Sequence, residues 1–297
     1  MDRKNIGWDG ISFEIPSNFE ISGIDKKFLQ LDNGEHPCIE MRWYEAGKTY
    51  KEKNYFRQLA KKIESSSGIK VESTVLPSSW KKPLTGYNST AFYWQSETTS
   101  GRGVMFYSAS ASRIMLVQFI NKCDEDIDNA ATILFETLKF HNMESEIPWH
   151  VYDMAATLPS TYELESFEFK PGKFILSVAD KNESISLYRF SPANIILKKQ
   201  SLDTFSKELF KEDITKLGLS IAALEYETGA TCMFGQVKRP STPILALSKI
   251  SSKRKPYGQI EVRYTEDSNR ILAVMVCSRQ HLEEDRAKSI FEHYEII

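Results

Sequence analysis

The stretch ISFEIPSNFEI, residues 11–21, decides the reading of this chain, because a weaker copy of it, TLPSTYEL at residues 157–164, returns about half a chain later. Ile11, Phe13 and Ile15 alternate with Ser12 and Glu14, the period of a half-buried strand. Pro16, Ser17 and Asn18 then break the pattern before Phe19, Glu20 and Ile21 resume it. The return of this strand, turn and strand predicts two related domains, residues 1–145 and 146–297, joined by a linker at 142–146.

Working outward, the first half predicts a short strand at 28–31, a turn at Asp32-Asn33-Gly34 and a hairpin partner at 38–44, CIEMRWY. From residue 49 the period changes. Tyr55, Leu59 and Ile63 fall four apart, which predicts an amphipathic helix over 50–65. Strands are expected at 70–76, 85–97, 103–108 and 113–121, with turn chemistry at 77–79, 100–101 and 110–112. The run IMLVQFI, 114–120, reads as a strand covered on both faces. A helix over 124–140 with an acidic first turn closes the half.

The second half repeats the order: strands at 157–164, 174–178 and 184–190, a helix over 201–217, strands at 219–226, 230–237, 244–250, 259–264 and 270–277, and a final helix over 283–294. Individual residues agree as well. Pro16-Ser17 matches Pro159-Ser160, Thr85-Gly86 matches Thr228-Gly229, and Arg113-Ile114 matches Arg270-Ile271. Leu134-Phe135-Glu136 matches Ile290-Phe291-Glu292.

The opening Phe13-Glu14-Ile15-Pro16, followed by an aromatic, a meander, one helix, antiparallel strands and a final helix carrying a phenylalanine, resembles the Mog1/PsbP-like superfamily. The resemblance implies an α+β class, with two tandem α/β/α sandwich domains, each around a central antiparallel sheet. It implies protein binding more than any one chemistry, because those relatives share no catalytic residues to carry over.

Composition bounds the function. A chain of 297 residues with 41% apolar and 26% charged residues is globular and long enough for two cores. The net charge of -2 argues against a nucleic-acid partner. The opening MDRKNIGWDG has no apolar segment of the secretory kind, and no apolar run approaches the ~20 residues that span a bilayer. A signal already removed stays open. Cys38, Cys123, Cys232 and Cys277 fall opposite other residue types when the halves are aligned, so they are expected to be reduced, in a cytoplasmic protein.

No catalytic, cofactor or metal site is expected. Asp124, Asp126 and Asp128 open like a calcium loop, but Asn129 stands where that loop needs Gly and Phe135 where it needs Glu. His36 and Cys38 make half a zinc site with no second pair. Arg113/Arg270 and Glu136/Glu292 read as structural charges. Candidate binding residues are the basic cluster Lys238, Arg239, Lys253, Arg254 and Lys255, which suits an acidic partner or a phosphate, and the aromatics Trp43 and Trp94. The expectation is a non-enzymatic protein-binding module, an adaptor or chaperone-like factor, working as a pseudo-dimeric monomer. The alternative is a small-ligand protein or enzyme with a site in the cleft between the halves.

Overall fold

Asp9 and Gly10 both take positive φ, 43° and 82°. That is the conformation a two-residue Asp-Gly turn requires, and it folds Arg3–Trp8 (β1) back on Ile11–Pro16 (β2) as a hairpin, with Trp8 opposite Ile11. Ile11, Phe13 and Ile15 are all buried, as the alternation predicts. The computed structural model describes residues 2–47, 52–120, 127–141, 145–217, 220–225, 231–236 and 255–297. It divides the chain into two units, Met1–Tyr152 and Asp153–Ile297. The division falls after Tyr152 and not at 145/146, because the strand Glu146–Val151 pairs with β1 of the first unit.

The first unit continues through Glu20–Asp25 (β3), Phe28–Asp32 (β4), Pro37–Glu45 (β5), Glu52–Ser67 (α1), Val71–Thr74 (β6) and Ser78–Lys81 (α2). Asn88–Gln95 (β7), Ser100–Ser108 (β8), Arg113–Ile120 (β9), Ile127–Thr137 (α3), Lys139–Phe140 (β10) and Glu146–Val151 (β11) complete it. An antiparallel seven-stranded sheet runs β3-β4-β5-β9-β8-β7-β6, and a smaller ladder runs β10-β2-β1-β11. One face of the large sheet carries Met41, Trp43, Val104, Phe106, Met115, Val117 and Phe119, all buried. Phe119 meets Trp80 of α2 at 5.0 Å and Phe135 of α3 at 5.8 Å, between ring centres. Aromatic pairs at these separations dominate the burial energy of such a core. The opposite face carries α1, packed on β6, β7 and β8.

The second unit comprises Met154–Pro159 (β12), Glu163–Lys170 (β13), Lys173–Ala179 (β14), Glu183–Phe190 (β15), Ala193–Leu197 (α4), Leu202–Leu209 (α5) and Lys211–Leu217 (α6). Ser220–Glu225 (β16), Thr231–Gln236 (β17), Tyr257–Thr265 (β18), Arg270–Ser278 (β19), Arg286–Phe291 (α7) and Tyr294–Ile296 (β20) follow. Among the described residues its seven-stranded sheet runs β13-β14-β15-β19-β18-β17-β16, the same order as the first when strands are numbered within each sheet. The class is therefore mixed α+β with antiparallel sheets.

Several expectations are corrected. The helix expected over 124–140 stops at Thr137, because Lys139 and Phe140 pair with Ser12 and Ile11 and satisfy the open edge of β2. The helix expected over 283–294 is likewise confined to α7, and β20 pairs with β12. The helix expected over 201–217 divides at Phe210, whose buried side chain belongs to the core, after Ser201 caps α5 by accepting the Thr204 N–H at 3.1 Å. The turn expected at 77–79 opens α2, which delivers Trp80 to the core. The strand expected at 244–250 lies outside the described residues.

The cysteines are not all reduced. Cys38 is disulfide-bonded, a pairing that wide and unmatched spacing could not reveal. Cys277 is a free thiol whose pKa burial pushes up to about 12.

Candidate functional site

The run expected to be covered on both faces is sealed on one and covered only in part on the other, where Ile114 is buried. Ile114, Met115, Val117 and Phe119 are buried, while Leu116, Gln118 and Ile120, on the α1 side of this central strand, are half-exposed. Strand alternation places Glu40, Arg42 and Tyr44 of β5 beside them, with Glu40 opposite Gln118 and Arg42 opposite Leu116. These residues floor a cavity of about 470 Å³ under α1, which contributes Leu59, Lys62 and Ile63 from above. Trp94, Val71 and Ile69 wall it.

Glycines shape that wall. Trp94 lies opposite Gly101 and Phe92 opposite Gly103, and a Cβ on either glycine would sit 2.4 Å from the facing ring. Only a bare backbone lets the indole and the phenyl ring lie flat across β8. Phe56 of α1 then packs on Phe92 at 6.1 Å. The Trp94 Nε1–H is buried and finds no acceptor among the described residues.

The polar floor is ordered. Gln30 Nε2 donates to Glu40 Oε1 at 2.8 Å and Gln118 Nε2 donates to Glu40 Oε2 at 2.6 Å. Both carboxylate oxygens are thus fixed by amides. Arg42 stacks on Phe28, its guanidinium carbon 4.0 Å from the ring centre.

The matching face of the second unit is filled from its own chain. With Arg113 set against Arg270, Leu116 corresponds to Ala273 and Gln118 to Met275, and the pairing registers then set Arg42 against Tyr188 and Gly103 against Ile260. Ala273, Met275 and Ile260 join Phe190, Leu202, Phe210, Val262 and Ile271 in one buried cluster, with Phe205, Leu209 and Ile214 packed against it. The Tyr188 ring meets Phe210 edge-on at 5.3 Å. No residue of α1 whose side chain is described is fully buried.

The predicted site residues are scattered. Trp94 is in the cavity wall. Trp43 is on the other face, fully buried, and donates its indole N–H to the Asp9 carbonyl at 3.3 Å. It belongs to the core and not to a surface. Lys238, Arg239, Lys253 and Arg254 lie outside the described residues, and Lys255 is half-buried with its ammonium 3.5 Å from the Asp180 carbonyl. Arg113 and Arg270 are structural. Arg113 donates to the Gly10 carbonyl at 3.0 Å, and Arg270 donates to Asp153 Oδ2 at 3.2 Å. Asp128 pairs with Arg102 at 2.9 Å, which accounts for an acid in the first turn of α3. Among the described residues no group of three His, Cys, Asp or Glu side chains could hold a metal.

A second polar cluster lies in the second unit, where Tyr162 donates to Glu183 and Arg286 Nη2 donates to the same carboxylate at 2.7 Å. Burial, then the hydrogen bond to Glu183, raises the Tyr162 phenol far above its ordinary range. The residues start β15 and α7, so the cluster pins the closing helix to the sheet. It offers no nucleophile poised for release of a proton.

No family model matches the chain, and no curated protein matches it. Among solved structures it is similar to a protein of Bacteroides thetaiotaomicron at 13% identity and a TM-score of 0.33, over 53% of each chain. It thus spans about half the length of that protein. It is also similar to the T6SS immunity protein TplEi of Pseudomonas aeruginosa, at 9% identity over 100% of this chain and 97% of that one, with a TM-score of 0.38. A chain of the Tle4-Tli4 complex matches at 9% identity over 100% and 99%, with a TM-score of 0.36.

Proposed function

We propose that this chain is a non-catalytic protein-binding module, built from two duplicated units of the Mog1/PsbP-like kind, and that its first unit receives part of another protein in the groove under α1. One observation carries the reading. Leu116, Gln118 and Ile120, in the centre of a sheet, are only half-buried under a helix that fails to seal them, whereas Ala273 and Met275, which match Leu116 and Gln118 in the second unit, are buried in a cluster against which α5 and α6 pack. Aliphatic surface left open in this way favours an interaction that covers it. What supports duplication is the common strand order and the matched use of Arg113 and Arg270 to tie the first residue of β9 and of β19 to the turn before β2 and the residue before β12.

No helix among the described residues is long and apolar enough to cross a membrane. The Cys38 disulfide supports an oxidising compartment over the cytoplasm. A second reading, a small apolar ligand in the same groove, is favoured by the volume of about 470 Å³, within the range of small-molecule sites.

The test is recovery of a partner from the native host by the tagged full chain, by Leu116→Arg, and by the surface control Lys198→Glu. Wild type and control are expected to recover one protein stoichiometrically, and Leu116→Arg about tenfold less, the effect of ~1.4 kcal/mol of lost affinity. Equal recovery by all three would remove the groove from the account. A small molecule carried by the wild-type chain alone, seen by native mass spectrometry, would establish the second reading.

A further inference from the structure

The charges around the groove are unbalanced in one direction. Its charged lining residues are Glu40, Arg42 and Lys62. Glu40 is already held on both oxygens by Gln30 and Gln118. Neither Arg42 nor Lys62 forms an ion pair among the described residues, and both are exposed. The Phe28 ring fixes the plane of the Arg42 guanidinium and leaves its N–H edges for an acceptor.

These cations limit what can cover the groove. An occupant that presented only hydrocarbon would strip water from Arg42 and Lys62 and return nothing, which is the expensive way to bury a charge. A carboxylate would meet the guanidinium fork with paired hydrogen bonds and bring Lys62 a counter-charge. The aliphatic and aromatic wall, Leu59, Leu116, Ile120 and Trp94, meanwhile accepts a side chain of similar character.

Resting on the reading of the groove as a protein-binding site, we infer that its occupant is a segment of the partner protein in which an aromatic or aliphatic anchor lies close to an Asp or Glu. The anchor enters the cavity beside Trp94, and the acid is held by Arg42 and Lys62. The groove therefore selects acidic, apolar segments and rejects basic ones.

The experiment is selection of a random short-peptide library displayed on phage against the immobilised full chain, followed by affinity measurement on the enriched peptides made synthetically. Enriched peptides are expected to combine an apolar anchor with Asp or Glu. The double variant Arg42→Glu, Lys62→Glu is expected to bind them about tenfold or more weakly, and raising the salt to weaken wild-type binding. Changing the peptide acid to its amide should weaken wild type by a similar factor and leave the neutral double variant Arg42→Gln, Lys62→Gln indifferent. Peptides that bind without any acidic preference, yet lose affinity with Leu59→Glu, would overturn this inference while leaving the groove as a protein site. An absence of enriched peptides, or peptides indifferent to Leu59→Glu, would overturn the groove reading itself. Circular dichroism of each variant against wild type establishes that the fold is retained, and Arg42→Gln serves as the milder charge removal.

Discussion

Asp153→Ala is expected to destabilise the second unit by about 3–5 kcal/mol, because it strands buried charge. The Asp153 carboxylate accepts from Arg189, whose side chain is only 9% exposed, and from Arg270 at 3.2 Å. Arg189 also lies over the Phe174 ring at 4.5 Å, so its guanidinium has an apolar surround and cannot swing out to water without losing that packing. Removing the acid leaves two cations facing each other in a site of low polarisability. In the first unit Arg113 donates to the Gly10 carbonyl, at 3.0 Å, and forms no ion pair among the described residues. Arg113→Met is therefore expected to cost less, about 1.5–3 kcal/mol for one charge-assisted bond. Urea unfolding of the full chain followed by circular dichroism measures both. A loss below about 1 kcal/mol for Asp153→Ala would contradict the assignment of this cluster as the tie of the second unit.

Alkaline unfolding is the other large effect. Burial raises the Tyr188 phenol to about 12 and raises that of Tyr294 well above its ordinary value of 10.0. Tyr294 donates to the Tyr188 carbonyl at 2.9 Å, and its side chain is buried. A pKa raised by folding means that the folded chain holds a proton the unfolded chain releases. The stabilisation is complete below pH 10 and is lost as the pH rises above it. Each such phenol lowers stability by about 1.4 kcal/mol per pH unit above 10, so the pair is expected to take roughly 2.7 kcal/mol per unit, with Tyr188 levelling off near pH 12. Tyr162 and Cys277, raised likewise, add to the fall, and Tyr188→Phe should remove about 1.4 kcal/mol per pH unit of it. An unchanged slope would mean that Tyr188 is not sealed in the filled face of the second unit, and the contrast with Arg42 at the matching position would fail.

Much of the fold was legible because local pattern and packing agree in it. The alternation of Ile11, Phe13 and Ile15, and the four-residue spacing of Tyr55, Leu59 and Ile63, each name a periodicity that the structure follows. Helix ends were less legible, since Lys139-Phe140 and Tyr294 to Ile296 become strands to pair edges that are remote in sequence. Trp43 and Trp94 read alike in the sequence as aromatic candidates for a binding surface. Parity separates them: Trp43 shares its face with Ile39 and Met41, while Trp94 shares one with Gly101 and Gln118 through the pairing register.

The groove was missed for a specific reason. Aligning the halves emphasised what they have in common, and the site consists of what they do not: Arg42 for Tyr188, Gln118 for Met275, Gly103 for Ile260. A signal was present in CIEMRWY, where Glu40, Arg42 and Tyr44 fall on one face of a strand that also had to sit beneath a helix. Polar residues there, where the second unit has Tyr188, Met275 and Ile260, mark a surface kept for something outside the chain.

Hydrogen exchange of the chain, alone and with its co-purified protein bound, tests this account most directly. The account predicts that binding slows exchange in α1 and β9 of the first unit, and leaves α5, α6 and β19 of the second unchanged. Protection confined to the second unit, with α1 and β9 exchanging as in the free chain, would contradict it.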